Sequence, residues 1–523
     1  MGLSSRSVIV RVVALLALSH HVSGFSAYPL VHQHSLLFHS CRKYRNPIGN
    51  SIYMTTAAEA ALEYDARDDK VAVVKKASKR DMLMFAIPAL GIYLTNPLMS
   101  NIDNAFVGRT VGTSGLAALS PATICTDQMI YLFSFLSRAT TGIVSRAYGA
   151  KENGQAGDTE AARESGSAPL TVSLICGALV SILYAFGTPT MLQMLNVNPS
   201  LRPQAASYIY WRGSITWAAL AQASSLSMMM ATRDAITPLK IVAIAAAVNI
   251  VSDYLLCVWP LQWGCAGAAA ATSFATLLSC VFMLKALDNK GILPKIRMPT
   301  KMELQGLLDF TGPLLAITLT RLAGFIEMQR TAMRLGTQSL AGYQLCINLL
   351  MFFLLFGEPL SQLSQTQLPA LIDNNDGTAV YSTLKSILTL TVVASVGIGG
   401  IAYLAAMFGS QFVSTDISVQ ILAEATAPTL FCSVMAAIFA VAVDGAMLAS
   451  RDFGFMLFWG IATFWGQLKM LPHCKNIAQV FATFAFRLSS YAVACLVRAA
   501  LGYGKLGRVL RSKRSSQPEQ RWD

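Results

Sequence analysis

From about residue 83 onward the chain repeats one pattern: a run of apolar residues, a short polar break, then another apolar run. Each run is close to the roughly 17–25 residues that an α-helix needs to cross the hydrocarbon core of a bilayer. Twelve such runs fit between Leu83 and Gly502. The pattern predicts an all-α polytopic membrane protein. The eleventh run, Phe453 to Met470, ends at LPHCK after about eighteen residues and is at the short limit for a span.

The runs come in two sets of six. IPALGIYLTNPLMSNIDNAFVGRTVGTSGLAAL matches TGPLLAITLTRLAGFIEMQRTAMRLGTQSLAGY, with Pro88 against Pro313 and Val111-Gly112-Thr113 against Leu335-Gly336-Thr337. Further along, Met228 to Asp234 (MMMATRD) matches Ala446 to Asp452 (AMLASRD), so a shift of about 220 residues recurs in order. An internal repeat of this kind is read before any finer feature. It divides the chain into an N-terminal lobe at 80–288, a basic inter-lobe loop at 289–303, a C-terminal lobe at 304–503 and a basic tail at 504–523. Six spans per repeat is an even number, so both halves enter the membrane in the same sense and their pseudo-axis runs along the membrane normal. Two parallel six-helix bundles around a central cleft is a transporter plan.

Composition agrees. Hydrophobic residues make up 54% of the chain and charged residues 13%, against about 25% charged in an ordinary soluble protein. The formal charge of +13 sits in tails and short loops, not in a stripe interleaved with aromatics, which argues against nucleic acid as a partner. Lys75, Lys76, Lys79 and Arg80, the loop from Lys285 to Lys301 and the tail from Lys505 to Arg514 place both termini on the positive-inside face. The ten cysteines are scattered singly with no Cys-x-x-Cys pair, and five of the six histidines precede residue 40. With no histidine in the spans, no metal-spacing cluster and no Gly-x-Ser-x-Gly elbow, the chain reads as a non-enzyme with no cofactor.

The N-terminus reads as targeting sequence. No Asp or Glu occurs before Glu59. An apolar core, VIVRVVALLALS, follows Arg6 and ends at Ser23-Gly24, too short to span and signal-like, giving residues 1–24 as a signal peptide. Residues 25–75, from Phe25 through FSAYPLVHQHSLLFHSCRKYRN, read as a transit peptide and linker. Signal core, junction Phe25 and basic acid-free stretch together resemble the bipartite presequence of algae with complex plastids, which implies an integral protein of the plastid envelope. An ordinary secretory signal, with another endomembrane or the plasma membrane as destination, is the alternative.

Four stretches carry a family resemblance: NPLMSNIDNAFVGRTVGTSGLAALSPATICTDQ, SRATTGIVSRAYGAKENGQA, NIVSDYLL and DGAMLASRD. In this order, and with the repeat, the chain resembles the multidrug and toxic compound extrusion family on its DinF-like branch, which includes plastid-envelope members. The resemblance covers nearly all the chain after residue 80. It implies a monomeric secondary antiporter in the lipid bilayer that exports small organic substrates by alternating access of two lobes, coupled to H⁺ or Na⁺. A lipid-linked sugar flippase of the same superfamily, or a sodium-coupled organic anion transporter, is the alternative.

The polar residues inside the runs are the candidates for that work. Asp103 lies well inside the first run, six residues after Pro97; an ionised carboxylate out of water costs several kcal/mol unless compensated, and the resemblance gives its place to the family's proton-responsive aspartate. Asn249 and Asp253 are four apart and share a helical face; the resemblance joins them to Asp103 in one N-lobe cluster, with Thr272 as a hydroxyl contributor. Two carboxylates close together favour a shared proton, whereas oxygen ligands suit Na⁺ equally. Where other branches place an acid in the seventh helix this chain has Arg321, which points to cation coupling in the N-lobe and to Arg321 as an attractor of an anionic substrate group. Gln128 and Tyr131 are candidates to line the cleft. Pro97 lacks the N–H that would bond one turn back and is a candidate hinge. Asp127 and Asp444 are intramembrane acids without an assigned role.

Overall fold

The computed structural model describes residues 79–149, 158–195, 197–413 and 417–515; the presequence expected at 1–75 lies outside them. Among the described residues there is no β-strand. In lipid a spanning segment must satisfy its own backbone, and helices do so.

The first half consists of α1 (Lys79–Thr110), α2 (Thr113–Leu132) with α3 (Ser134–Gly149), α4 (Thr159–Ser165) with α5 (Ser167–Met194), α6 (Arg202–Ser214) with α7 (Thr216–Ala231), α8 (Ile236–Asp253) and α9 (Cys265–Asn289). The second half consists of α10 (Lys301–Arg334), α11 (Thr337–Leu354) with α12 (Glu358–Asp373), α13 (Gly377–Phe408), α14 (Ile417–Ser450), α15 (Phe453–Met470) and α16 (Ile477–Ala500), followed by a short helix, α17 (Gly504–Ser515). Counting each coupled pair as one span, these are twelve membrane helices in two six-helix lobes. Eight of the spanning segments are long and apolar enough to cross a membrane by length and composition alone. The others are interrupted near the middle, as at Phe133 and Ile215, carry charge, as α10 does, or are short, as α15 is.

The repeat is built into the backbone. Gly112 and Gly336 join the first two spans of each lobe, and both have positive φ (79° and 109°), which glycine adopts without a Cβ penalty. Arg233 and Arg451, matched in the second repeated stretch, also share a left-handed conformation (φ 62° and 57°). Each closes its helix in the same way: Asp234 N–H reaches Met229 C=O at 3.1 Å and Asp452 N–H reaches Met447 C=O at 3.3 Å, a Schellman-type end. The second span of each lobe is interrupted at equivalent points, Phe133 and Leu355–Gly357. The inter-lobe loop ends in a capping box in which Thr300 and Glu303 bond each other's backbone N–H.

Packing divides the molecule by depth. Near the helix ends remote from the termini, one core uses N-lobe residues alone (Val107, Leu119, Tyr184, Ile209) and another uses C-lobe residues alone (Met328, Leu350, Leu430, Phe481). On the side of the termini the lobes share cores: Leu136 and Ala139 pack with Phe310 and Leu314, and Phe85 and Ile92 with Leu363. There Ser145 Oγ donates to Gln365 C=O at 2.9 Å, and a Cβ on Gly142 or Gly149 would lie 2.6 Å from Phe310 or Ala370. Arg146 clamps the same face, reaching Asp373 and the Ala449 carbonyl, both at 2.6 Å. The lobes are thus closed on the terminal face and separate on the opposite one. The tail at 504–523 begins as α17, whose Leu506 and Val509 are buried among residues such as Leu368 and Ala499.

Candidate membrane charge sites

Four of the sequence candidates meet in the N-lobe. Asp103 comes from α1, Asn249 and Asp253 from successive turns of α8, and Thr272 from α9. Asn249 Nδ2 donates to Asp103 Oδ1 at 2.9 Å and to Asp253 Oδ2 at 3.0 Å. Thr272 Oγ1 lies 2.9 Å from Asp103 Oδ2 and also 2.9 Å from the Ala268 carbonyl. A hydroxyl has one hydrogen to give, so Asp103 Oδ2 and the Ala268 carbonyl share it. Asp103, Asn249 and Asp253 are 5%, 2% and 0% exposed, and no Lys or Arg among the described residues forms an ion pair with either carboxylate. Asn249 Oδ1 and Asp253 Oδ1 are buried acceptors without a hydrogen-bond partner. A proton, or a small cation taking oxygen ligands, fits this arrangement. Directly after Asp253 the helix widens into a π turn, Tyr254–Val258, a form that recurs at functional sites.

The remaining candidates go elsewhere. Pro97 lies inside a continuous α1, as Pro88 does. Tyr131, on α2, is 47% exposed; Gln128 is on the same helix, its side chain outside those described. Asp127 is salt-bridged to Arg212 of α6 at 3.2 Å. Arg321 of α10 is ion-paired with Asp444 of α14, and Asp444 also accepts from the Tyr491 hydroxyl at 2.7 Å. Asp444 is fully buried and its guanidinium partner about a quarter exposed.

Sequence reasoning passed over three further intramembrane charges. Arg138, just past the α2–α3 break, pairs at 2.9 Å with Glu358, just past the α11–α12 break. The two are 220 residues apart, so equivalent positions of the repeat meet across the lobe interface. Arg487, near the middle of α16, donates to Gln467 Oε1 at 3.0 Å and to the Thr320 carbonyl at 3.2 Å. Each was visible as a charge within an apolar run, the signal that singled out Asp103.

Comparison with known proteins places this arrangement. The MatE family model matches residues 88–255. Protein DETOXIFICATION 47, chloroplastic, of Arabidopsis thaliana is 29% identical over 390 residues, covering 72% of this chain and 69% of that protein. DNA damage-inducible protein F of Escherichia coli is 28% identical over 220 residues, covering 41% and 46% respectively. The bent form of the Vibrio cholerae MATE transporter VcmN superposes with a TM-score of 0.71 at 17% identity, covering 84% of this chain and 98% of that one. The N-lobe thus matches the MatE family model, and with its doubled six-helix plan the chain is similar to multidrug and toxic compound extrusion transporters, a chloroplastic plant protein and the bacterial DNA damage-inducible protein F among them.

Proposed function

We propose that the chain is a proton-coupled secondary antiporter that exports small organic compounds by alternating access of its two lobes. The observation that carries this reading is the N-lobe cluster: two carboxylates buried together, joined by the Asn249 amide and flanked by the Thr272 hydroxyl, with no cationic side chain paired to them among the described residues. Like charges in such a site resist ionising together, so the pair holds a proton until access to one side of the membrane changes. Na⁺ is the competing occupant, since every ligand atom is oxygen. A lipid-linked sugar flippase calls for several free basic groups in the cleft, whereas Arg138 and Arg321 are each tied to a carboxylate. The chloroplastic name of the plant relative and the acid-free N-terminus both support the plastid envelope as the site of action.

The test is dye efflux from proteoliposomes under an imposed pH gradient, with cationic ethidium and anionic fluorescein run in parallel. Gradient-driven flux present in the wild type and lost in Asp103→Asn supports proton antiport. Equal flux in both proteins refutes the role of Asp103, and flux that follows an imposed sodium gradient instead assigns coupling to Na⁺.

A further inference from the structure

The terminal face carries a basic surface outside the cleft. After α16 the chain turns at Gly502 and Gly504, both at positive φ (85° and 73°), which glycine adopts without a Cβ penalty. The turn is tightly packed: a Cβ on Gly504 would lie 2.4 Å from Asp452 Oδ2, and one on Gly507 2.6 Å from the Gly502 carbonyl carbon. α17 is thereby folded back beside the ends of α12, α13 and α16, with Leu506 and Val509 buried among Leu368, Val380 and Ala499. Lys505 pairs with Asp373, the carboxylate that Arg146 of the N-lobe also holds, so α17 is fastened to the inter-lobe clamp.

The outward side of α17 is different. Lys505, Arg508 and Arg511 recur every three residues, which puts them on one arc of the helix, and all three are exposed. Neither Arg508 nor Arg511 forms an ion pair among the described residues; Arg508 Nε bonds the Gly504 carbonyl of its own helix at 3.3 Å. The sequence supplies no nearby acid to offset them, since no Asp or Glu occurs between Asp452 and Glu519. Beside this arc Leu501 and Tyr503 are 62% and 63% exposed. They stand where α16 leaves the bilayer, the depth at which a ring with an apolar body and a polar tip is favoured.

We propose that α17 is a docking surface for the anionic lipid headgroups of the leaflet on the terminal face, with Arg508 and Arg511 on the headgroups and Leu501 and Tyr503 at the top of the acyl chains. Charge complementarity and depth both select this occupant. Four to eight Lys and Arg directly beyond a membrane helix, or on an amphipathic helix, attract anionic lipid, and the stretch from Lys505 to Arg514 supplies five. The exposed apolar side chains bordering the arc find hydrocarbon only in a lipid partner.

The experiment measures lipid preference on the full-length protein in nanodiscs of phosphatidylcholine. A bimane fluorophore is attached at Ser512→Cys, an exposed position on the same arc, in a background without Cys41, Cys176, Cys432 and Cys474. The quencher is a trace of phosphatidylglycerol or, in parallel, of phosphatidylcholine, each carrying a nitroxide near the top of an acyl chain. Expected is quenching at least about twofold stronger by the anionic lipid, falling in high salt because exposed charges are screened. The double variant Arg508→Gln, Arg511→Gln should lose this preference, because each Lys or Arg near an anionic leaflet strengthens attachment roughly fivefold. Arg508→Lys with Arg511→Lys should keep it, since the leaflet is read by charge; both variants change exposed side chains and leave the packed face of α17 intact. Equal quenching by the two lipids, as a docking surface for an acidic protein would give, overturns the proposal. So does a preference that survives in the Gln variant, is lost in the Lys variant, or is abolished by millimolar free glycerol phosphate, which would assign the arc to a soluble phosphate ester.

Discussion

The Arg138–Glu358 pair sits where the two lobes first meet below the open side of the cleft, and removing it should loosen the closed face. Beneath it lie the Ser145–Gln365 hydrogen bond, the glycine contacts at 142 and 149 and the Arg146 clamp. Breaking a fully buried ion pair by removing one partner costs about 3–5 kcal/mol, and an exposed pair contributes about 0–1 kcal/mol. The two side chains are 20% and 18% exposed, which places Glu358→Gln between these limits, at about 1.5–2 kcal/mol. Since about 1.4 kcal/mol is a factor of ten in an equilibrium, the population opened on the terminal face should rise roughly ten- to thirtyfold.

Distances between spin labels at Ser200→Cys and Lys475→Cys, exposed positions on the remote face of the N- and C-lobe respectively, report this equilibrium once Cys432 and Cys474 are replaced. Opening the terminal face brings the remote ends of the lobes together, so Glu358→Gln should increase the short-distance fraction, and the exchange Arg138→Glu with Glu358→Arg should return it toward wild type. An unchanged distance distribution in Glu358→Gln would refute the assignment. So would single substitutions at Arg138 and Glu358 whose effects simply add, because a shared interaction cannot be lost twice.

Gly445→Ala should lower the thermal unfolding midpoint in detergent, because a Cβ there lies 2.4 Å from the Ser361 carbonyl oxygen and overpacking costs about 1–3 kcal/mol. An unchanged midpoint would contradict the close approach of α12 and α14. Burial alone pushes the Asp234 carboxyl up, but Lys290 and the Thr237 backbone and hydroxyl outweigh it and hold the group below its usual range. Its stabilisation is therefore present above the unfolded pKa of about 4 and lost as pH falls through the lower folded value; Asp234→Asn should be less stable at pH 7 by at most about 1 kcal/mol, given solvent screening, with the gap closing in acid. Leu506→Ala should free α17 at a cost of about 2 kcal/mol, read as faster tryptic cleavage at Arg508 and Arg511.

The twelve spans and the doubling were readable because both follow from patterns local to the chain: apolar runs of bilayer length, and matched words such as MMMATRD and AMLASRD. The N-lobe cluster was readable for a related reason. Asn249 and Asp253 are one turn apart, and a buried acid within a span demands partners. What the sequence hides is pairing at a distance. Asp444 is 123 residues from Arg321, and Glu358 is 220 from Arg138, so nothing local shows that these charges neutralise each other. Helix breaks were only half visible: Gly357 and Pro359 mark the second, while Phe133 at the first has neither glycine nor proline nearby to signal it. Arg487 was open to view, but the groups that hold it, Gln467 and the Thr320 carbonyl, are a property of the packed lobe.

The two lobes share a backbone plan and differ in charge. At the offset that aligns Asp234 with Asp452, Asn249 of α8 falls on Gln467 of α15. Both are buried amides, and both hold a charged side chain from a neighbouring helix. In the N-lobe the amide acts as a donor, its Nδ2 giving hydrogens to the carboxylates of Asp103 and Asp253. In the C-lobe it acts as an acceptor, its Oε1 taking a hydrogen from Arg487. A neutral amide serves either sign because it carries both a carbonyl oxygen and an NH₂ group, so duplication could preserve the helix and its amide while the sign of the charge it holds inverted. The buried N-lobe cluster then carries excess negative charge and the buried C-lobe cluster excess positive charge. With Arg138 and Glu358 lying on the boundary between them, and Arg146 and Asp373 nearer the terminal face, a change of net charge in either lobe alters the field acting on ion pairs that cross the interface.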